Sequence, residues 1–270
     1  CRRQKHLVKS ALGSNIGDAV RSFTIVQNLL TALVIPFLAF IVGISALPGV
    51  YVFYKILDLT NTNPGSFLSS DIDSMPIILD FAITGISTGM AVMTWGISLV
   101  IICGVLGGLF RPRLDPGRYP LQSFVTIQWA WSMIFHRIAL FFLPFLVPSF
   151  IGNIYYRLSG AKLGQGVQIN SAHLNDAGSV TLGDRVVIGG KAIINAHLTE
   201  SGELVMSPVV IGNGALIGMG SVIQPGCTIG ENAVVASRAV VPKWTNIPDG
   251  EVWAGIPAKC IKRADGTKPE

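Results

Sequence analysis

Six aliphatic positions in the last third of the chain recur at a period of six: Ile211, Ile217, Ile223, Ile229, Val235 and Val241. Four residues after each of the first five stands a small residue, Ala215, Ser221, Cys227, Ala233 or Ala239. Gly212, Gly218 and Gly230 directly follow three of the aliphatic positions. An α-helix repeats its apolar face every ~3.6 residues and a half-buried strand every ~2. A period of six fits a solenoid that turns a corner after each side. Three such sides close a triangular turn of about 18 residues. The aliphatic residue points into the prism, the small residue fits near the corner, and glycine there permits the backbone to turn. The same phase appears earlier in Leu163-Gly164, Leu182-Gly183, Ile188-Gly189 and Ile194, which gives about four turns from Leu163 to Pro242. Two stretches break it, around His173 to Ser179 and from Thr199 to Pro208, and read as loops leaving the coil. The fold class expected is a membrane α-helical region followed by an all-β left-handed parallel β-helix.

The helical expectation comes from the other half of the chain. Thr24 to Leu57 is almost wholly apolar until Lys55, and Pro76 to Phe110 carries one charge, Asp80. Each exceeds the ~20 residues that cross a bilayer, and Pro36 and Pro48 are tolerable kinks within the first. Arg2, Arg3, Lys5, Lys9 and Arg21 precede the first span, and Arg111, Arg113 and Arg118 follow the second. The intervening Asp58 to Met75 has no Lys or Arg and contains Asp58, Asp71 and Asp73. Two crossings place both basic flanks on the cytoplasmic side of an inner membrane. Phe124 to Leu158 is rich in aromatic residues, but His136-Arg137, Pro144 and Pro148 divide it. Interfacial or re-entrant helices fit it better than a third or fourth span, and an even number of crossings keeps the coil cytoplasmic. The segments expected are therefore a basic flank at 1–22, two spans within 23–123, interfacial helices at 124–160, the β-helix at 161–243, and a cap and tail at 244–270. Trp244, Pro248 and Trp253 are the capping candidates for the open coil end.

Composition narrows the partners. Half of the 270 residues are hydrophobic and 13% are charged, with a net charge of +5. The mean hydropathy is +0.55 and the pI about 9.1. The basic balance is mostly membrane-flank charge, and no basic stripe with interleaved aromatics points to nucleic acid. Cys1, Cys103, Cys227 and Cys260 show no CxxC spacing, so neither a disulfide framework nor a metal site is expected. With no initiator Met and no cleavable signal pattern, the chain is compatible with a piece of a longer polypeptide. A transporter or channel is disfavoured because the spans hold no charged pairs beyond Asp80.

Candidate chemistry lies at the phase breaks. Of the histidines, His6 is in the basic flank, His136 at the interface, and His173 and His197 at the edges of the two breaks. His197 ends Ile193-Ile194-Asn195-Ala196-His197, where the chain leaves a coil side. An imidazole there can serve as a general base; a solvated surface histidine gives the same signal.

This segment resembles the hexapeptide-repeat acyltransferases, over about residues 160 to 263. Their chains end in a Gly-Val-Pro-Ala-Lys type signature, and this one reads Trp253-Ala254-Gly255-Ile256-Pro257-Ala258-Lys259. The resemblance implies a homotrimer with sites between adjacent coils, and a His base before a loop, matching His197. It also implies an acetyl-CoA or acyl-CoA donor whose pantetheine arm runs past positions matching Met219, Ser237 and Lys243. The 3′-phosphate would meet Lys259 and Lys262 or Arg263, which otherwise read as solvated surface cations. Asn195 and Glu200 flank the base, and Glu200 either orients His197 or is a plain loop carboxylate. The Asp176 region is a candidate acceptor loop by position.

A further likeness reaches the helical part. Pro116-Gly117-Arg118-Tyr119-Pro120-Leu121-Gln122-Ser123, Tyr156 to Gly164 and His197-Leu198-Thr199-Glu200 resemble the C-terminal modules of epsilon-poly-lysine-synthetase-type peptide synthetases. That likeness implies a phosphopantetheine thioester on an acyl or peptidyl carrier protein as a second kind of donor. The expectation is a membrane-tethered acyltransferase acting on an amine or hydroxyl, with a non-catalytic β-helix scaffold as the rival.

Overall fold

The structure, a computed structural model, describes residues 34–65, 75–112 and 115–269, together with Asn28 and Ala32. Arg2, Arg3, Lys5, His6, Lys9, Arg21, Asp71, Asp73 and Arg113, used above for orientation or as candidates, lie outside the described residues. The chain divides into two compact units, Cys1–Ser45 and Ala46–Glu270.

Among the described residues, two helices are long and apolar enough to cross a bilayer. Helix α1 covers Val34–Thr60 and continues through Pro48. Helix α2 covers Met75–Phe110, of which Ile78–Phe110 is the apolar stretch. At 36 residues, α2 is about 50 Å long, against a hydrocarbon thickness of about 30 Å. Its surplus length is packed by protein. Leu99, Val100 and Cys103 are buried, whereas Ile78, Leu79, Phe81 and Ile86 are exposed.

What covers the end of α2 is a short helical subdomain. Helix α3 (Phe124–Ala139) begins at Ser123, whose hydroxyl accepts from the Thr126 amide at 3.3 Å. Helices α4 (Leu143–Leu146) and α5 (Phe150–Leu158) follow, and Ser149 caps α5 by accepting from the amides of Ile151 and Gly152. At 16, 4 and 9 residues, none reaches the ~20 needed to span. Glycines on α2 let them approach closely. A Cβ at Gly108 would lie 2.1 Å from the Leu158 carbonyl oxygen, and one at Gly96 would lie 2.4 Å from the Phe142 ring. Phe124, Phe141, Phe145 and Phe150 remain exposed.

From Lys162 the chain forms the left-handed parallel β-helix. The first face stacks β2 (Lys162–Leu163), β4 (Val180–Leu182), β9 (Val209–Ile211), β12 (Thr228–Ile229) and β15 (Asn246–Ile247). The second stacks β3 (Gln168–Ile169), β5 (Val187–Ile188), β10 (Leu216–Ile217), β13 (Val234–Val235) and β16 (Val252–Gly255). The third stacks β6 (Ile193–Ile194), β11 (Val222–Ile223) and β14 (Val240–Val241), with Leu174 bridged to Ile194 below them. The period-six residues are the cross-turn partners. Leu163, Leu182, Ile211, Ile229 and Ile247 form one column. Ile188, Ile217 and Val235 form another. Nearly all are fully buried, and so are the small-slot residues Ala215, Ser221, Cys227, Ala233 and Ala239.

Three details differ from the sequence expectation. First, Gly212, Gly218 and Gly230 are needed for close approach and not for backbone freedom. A Cβ at Gly218 would sit 2.4 Å from the Ser237 backbone nitrogen, and one at Gly212 would sit 2.8 Å from that of Glu231. The left-handed corner conformations fall two residues later, at Gly214 and Gly220 among others. Second, Thr199 to Pro208 is not an irregular loop. It contains a β-hairpin of β7 (His197–Glu200) and β8 (Glu203–Met206), turning on Ser201 and Gly202, both at positive φ. Strand β1 (Gly117–Pro120), between α2 and α3, adds antiparallel to β8 and ties the hairpin to the helical subdomain. Third, the ladder continues past residue 243 through Ile247 and Trp253. Trp244 packs along a coil edge over Gly226, and Trp253 belongs to a face, so neither lies across the coil end. At the coil's end, β17 (Ala258–Lys262) folds back antiparallel on β16. At its start, α5 covers the first turn: the buried Tyr156 hydroxyl donates to the Ser171 carbonyl, and Asn153 donates to that of Val167.

Candidate active site

His197 begins β7 at the edge where face three turns into face one. Its Nδ1 lies 2.5 Å from Asp176 Oδ2. Asp176 sits in the first phase break, at φ +59, just before the short 3-10 turn Ala177–Ser179. The register explains the encounter. Leu174 pairs with Ile194 across one turn, so Asp176 stands beneath Ala196 and beside His197. The Ala196 amide also donates to Asp176 Oδ2, at 3.3 Å.

The environment of the pair is asymmetric. The Asp176 side chain is 4% exposed and that of His197 is 21% exposed. A carboxylate only accepts, so Nδ1 carries the proton on this contact, and in the neutral imidazole Nε2 presents its lone pair. Among the described residues, Nε2 has no hydrogen-bond partner and opens to solvent. The other oxygen of the carboxylate, Asp176 Oδ1, accepts from the Trp129 indole N–H at 2.7 Å. The Trp129 ring lies 4.6 Å from that of His197, inclined at 60°. Asn195, expected beside the base, is held one turn up by Asn175, whose amide donates to its Oδ1 at 2.7 Å.

His136 lies behind this pair, buried on α3, with Nδ1 2.7 Å from the Tyr155 hydroxyl oxygen. Burial pushes its pKa down to about 4, against the opposing pull of the Asp176 charge. It is therefore neutral near pH 7.

Glu200 does not orient His197. Its carboxylate is bonded to Lys243 Nζ and, at 3.2 Å, to Arg118, which also binds Glu203 at 2.7 Å. These cations, Lys243 foremost, hold the Glu200 carboxyl below its usual range. The physical reason is strand geometry: three residues along β7, Glu200 faces β1 and the Lys243 edge, whereas Asp176 comes from the turn below. Lys243 is drawn into the same cluster. Its ammonium is paired with Glu200 and lies 4.7 Å from the Trp244 ring centroid, on the edge between faces three and one, whereas Met219 and Ser237, expected beside it along the pantetheine arm, lie on another edge.

The remaining candidates lie elsewhere. Met219 and Ser237 are exposed and stacked on the edge between faces two and three, a full face away from His197. Lys259 and Lys262 lie on β17 at the end of face two, exposed and without an ion-pair partner among the described residues. No cluster of metal-ligating side chains occurs among the described residues. Sequence reasoning missed Trp129 entirely and assigned Asp176 to the acceptor. The Leu174–Ile194 register would have revealed Asp176, but the side from Ile169 to Leu174 is one residue short and hid it.

Fold and site define a hexapeptide β-helix joined to apolar helices. Residues 208–243 match the family model described as bacterial transferase hexapeptide (six repeats). That stretch is two turns of the coil and includes neither Asp176 nor His197. No curated protein matches the chain. Among solved structures, the chain is similar to a hexapeptide-repeat acetyltransferase of Vibrio cholerae O1 biovar eltor complexed with acetyl coenzyme A. The identity is 23% over 45% of this chain and 83% of the other, with a TM-score of 0.38. It is also similar to a galactoside acetyltransferase in complex with coenzyme A, at 24% identity over 48% and 80%, TM-score 0.38. A maltose O-acetyltransferase from Clostridium difficile 630 is 22% identical over 65% and 89%, TM-score 0.37.

Proposed function

We propose that this chain is a membrane-tethered acyltransferase that moves an acyl group from a pantetheine thioester to an amine or hydroxyl, with His197 as general base. The observation that carries the reading is the buried Asp176 carboxylate on Nδ1 of His197, with Nε2 open at a coil edge. In this reading Nε2 accepts the proton of the acceptor nucleophile as that nucleophile attacks the thioester carbonyl. The tetrahedral intermediate collapses, the C–S bond breaks, and the thiolate takes the proton back from the imidazolium. Asp176 fixes the tautomer and offsets the transient positive charge.

The donor favoured is acyl-CoA. Lys259 and Lys262 are exposed cations suited to a 3′-phosphate that a carrier-protein arm lacks. Met219 and Ser237 line a different edge from His197, which supports a site shared between neighbouring coils of a homotrimer. Helices α1 and α2 support tethering, and the positive-inside pattern supports a cytoplasmic coil.

The test is CoA release from acetyl-CoA by the purified chain, with His197→Ala alongside. Loss of release on the order of 10²- to 10⁴-fold is expected; full turnover by the variant sinks the reading. CoA binding without turnover for any amine or hydroxyl would instead identify a scaffold. A monomeric mass in detergent would remove the shared site.

A further inference from the structure

We infer that Trp129, which belongs to the helical subdomain and not to the coil, is a positioning residue of this site: it aims His197 by holding Asp176. The inference rests on His197 acting as the general base.

The two carboxylate oxygens of Asp176 are engaged from opposite directions. Oδ2 takes His197 Nδ1 at 2.5 Å and the Ala196 amide at 3.3 Å. Oδ1 takes the Trp129 indole N–H at 2.7 Å. A carboxylate bonded at one oxygen can pivot about its Cβ–Cγ bond, whereas one bonded at both cannot. Asp176 has no strand ladder to steady it, because it precedes a 3-10 turn in a left-handed backbone conformation. Its side chain is 4% exposed, so loss of the indole N–H would leave a buried anionic oxygen without that donor. The centroid of the Trp129 ring also lies 4.6 Å from that of the His197 ring, the planes inclined at 60°. The imidazole is thus restrained at Nδ1 by the carboxylate and flanked by the tilted indole ring. Phenylalanine could supply the flanking ring but not the N–H donor.

Trp129 is itself fixed by helix packing. One turn along α3, the Ser132 hydroxyl donates to the Gly107 carbonyl of α2 at 3.2 Å. Phe135 meets Phe110 of α2 with centroids 5.6 Å apart, and His136 meets Tyr155 of α5. At the end of α2, Arg111 donates to the Gly160 carbonyl at 2.9 Å and packs beside Gly178, two residues beyond Asp176. The position of the base is therefore set partly by helices outside the coil, and a coil without α3 lacks one of the groups that aim it.

The test uses the full chain in detergent and follows CoA release from acetyl-CoA with a panel of small amines and alcohols as acceptors. Four proteins are compared: wild type, Trp129→Phe, Asp176→Asn and the double variant. Trp129→Phe is expected to lower kcat about tenfold while KM for acetyl-CoA stays within about twofold. The double variant is expected to be no slower than Asp176→Asn alone, within about twofold, because the indole acts only through that carboxylate. Single losses that multiply in the double variant overturn the inference. So does a Trp129→Phe enzyme with wild-type kcat, or one whose loss lies in KM alone. His197→Ala separates the two readings. If it retains full turnover, or if the wild type releases no CoA, the base reading falls and this inference falls with it. If His197→Ala is inactive but the factors multiply, only this inference falls.

Discussion

Asp176 Oδ2 meets His197 Nδ1 at 2.5 Å although 21 positions separate the two residues, because one turn of the coil stacks Leu174 under Ile194. That contact decides which tautomer the neutral imidazole adopts, while Glu200 is bonded to Lys243 and Arg118 instead. Asparagine at position 176 can present its amide N–H to Nδ1, which would move the proton to Nε2 and remove the lone pair on which the proposed general-base role depends. Asp176→Asn is therefore expected to lower kcat by about 10²-fold, and Glu200→Gln by less than about threefold. Steady-state thioester turnover of the two variants checks the contrast, and equal losses would restore Glu200 to the base.

Glu200 is expected to matter for the hairpin instead. Its folded pKa is depressed by Lys243 and then by Arg118, so its contribution is present above the ordinary carboxylate range and is lost as pH falls through the lowered value. Proteolytic nicking at Ser201-Gly202 should rise steeply below about pH 4, the ordinary range for carboxylates. Lys243→Met should produce the same susceptibility at neutral pH. A hairpin equally resistant in that variant would show that the β1–β8 ladder suffices alone.

His136 imposes an acid limit on stability. Its folded pKa of about 4 lies below the ordinary histidine value of about 6.5, so the unfolded chain binds more protons between the two. Stability attributable to this residue should fall by on the order of 1.4 kcal/mol per pH unit from about 6.5 down to 4 and level off below. Denaturation midpoints of wild type and His136→Gln across that interval measure it. Parallel curves would mean that His136 is not the titrating group.

Close stacking of turns makes Gly218 intolerant of the smallest side chain. Its Cβ would meet the Ser237 backbone nitrogen at 2.4 Å, and the backbone of a stacked coil cannot yield locally. Gly218→Ala should cost at least about 1–3 kcal/mol. Gly202→Ala has open space but a left-handed conformation, and should cost about 1 kcal/mol. Thermal melts of the pair compare the two causes, and a neutral Gly218→Ala would contradict the packing.

The coil was legible because its constraint is local and repeated. Each side must bury one aliphatic residue and one small one, so the period is written into the residues from Leu163 to Val241 and extends to Ile247. The apolar runs of α1 and α2 were legible for the same reason. The hairpin was not, since it appears in sequence as an interruption: from Leu182 to Ile211 the chain spends 29 residues against 18 from Ile211 to Ile229. Its partner strand β1 lies more than 80 residues upstream of it.

By itself, then, the sequence determined the period-six prism, the two bilayer-length helices and the position of His197, like His173, beside a break. Those features depend on neighbours within one repeat or one helix. Tertiary structure alone decided that Asp176 faces that histidine, that Glu200 belongs to Arg118 and Lys243, and that Trp129 reaches the carboxylate from α3. Each of these contacts joins residues 43 to 82 positions apart, or one turn of an irregular coil, and is fixed by how α2, α3 and the stacked turns pack together. No periodic signal records such packing, because the residues involved satisfy one another only once in the chain.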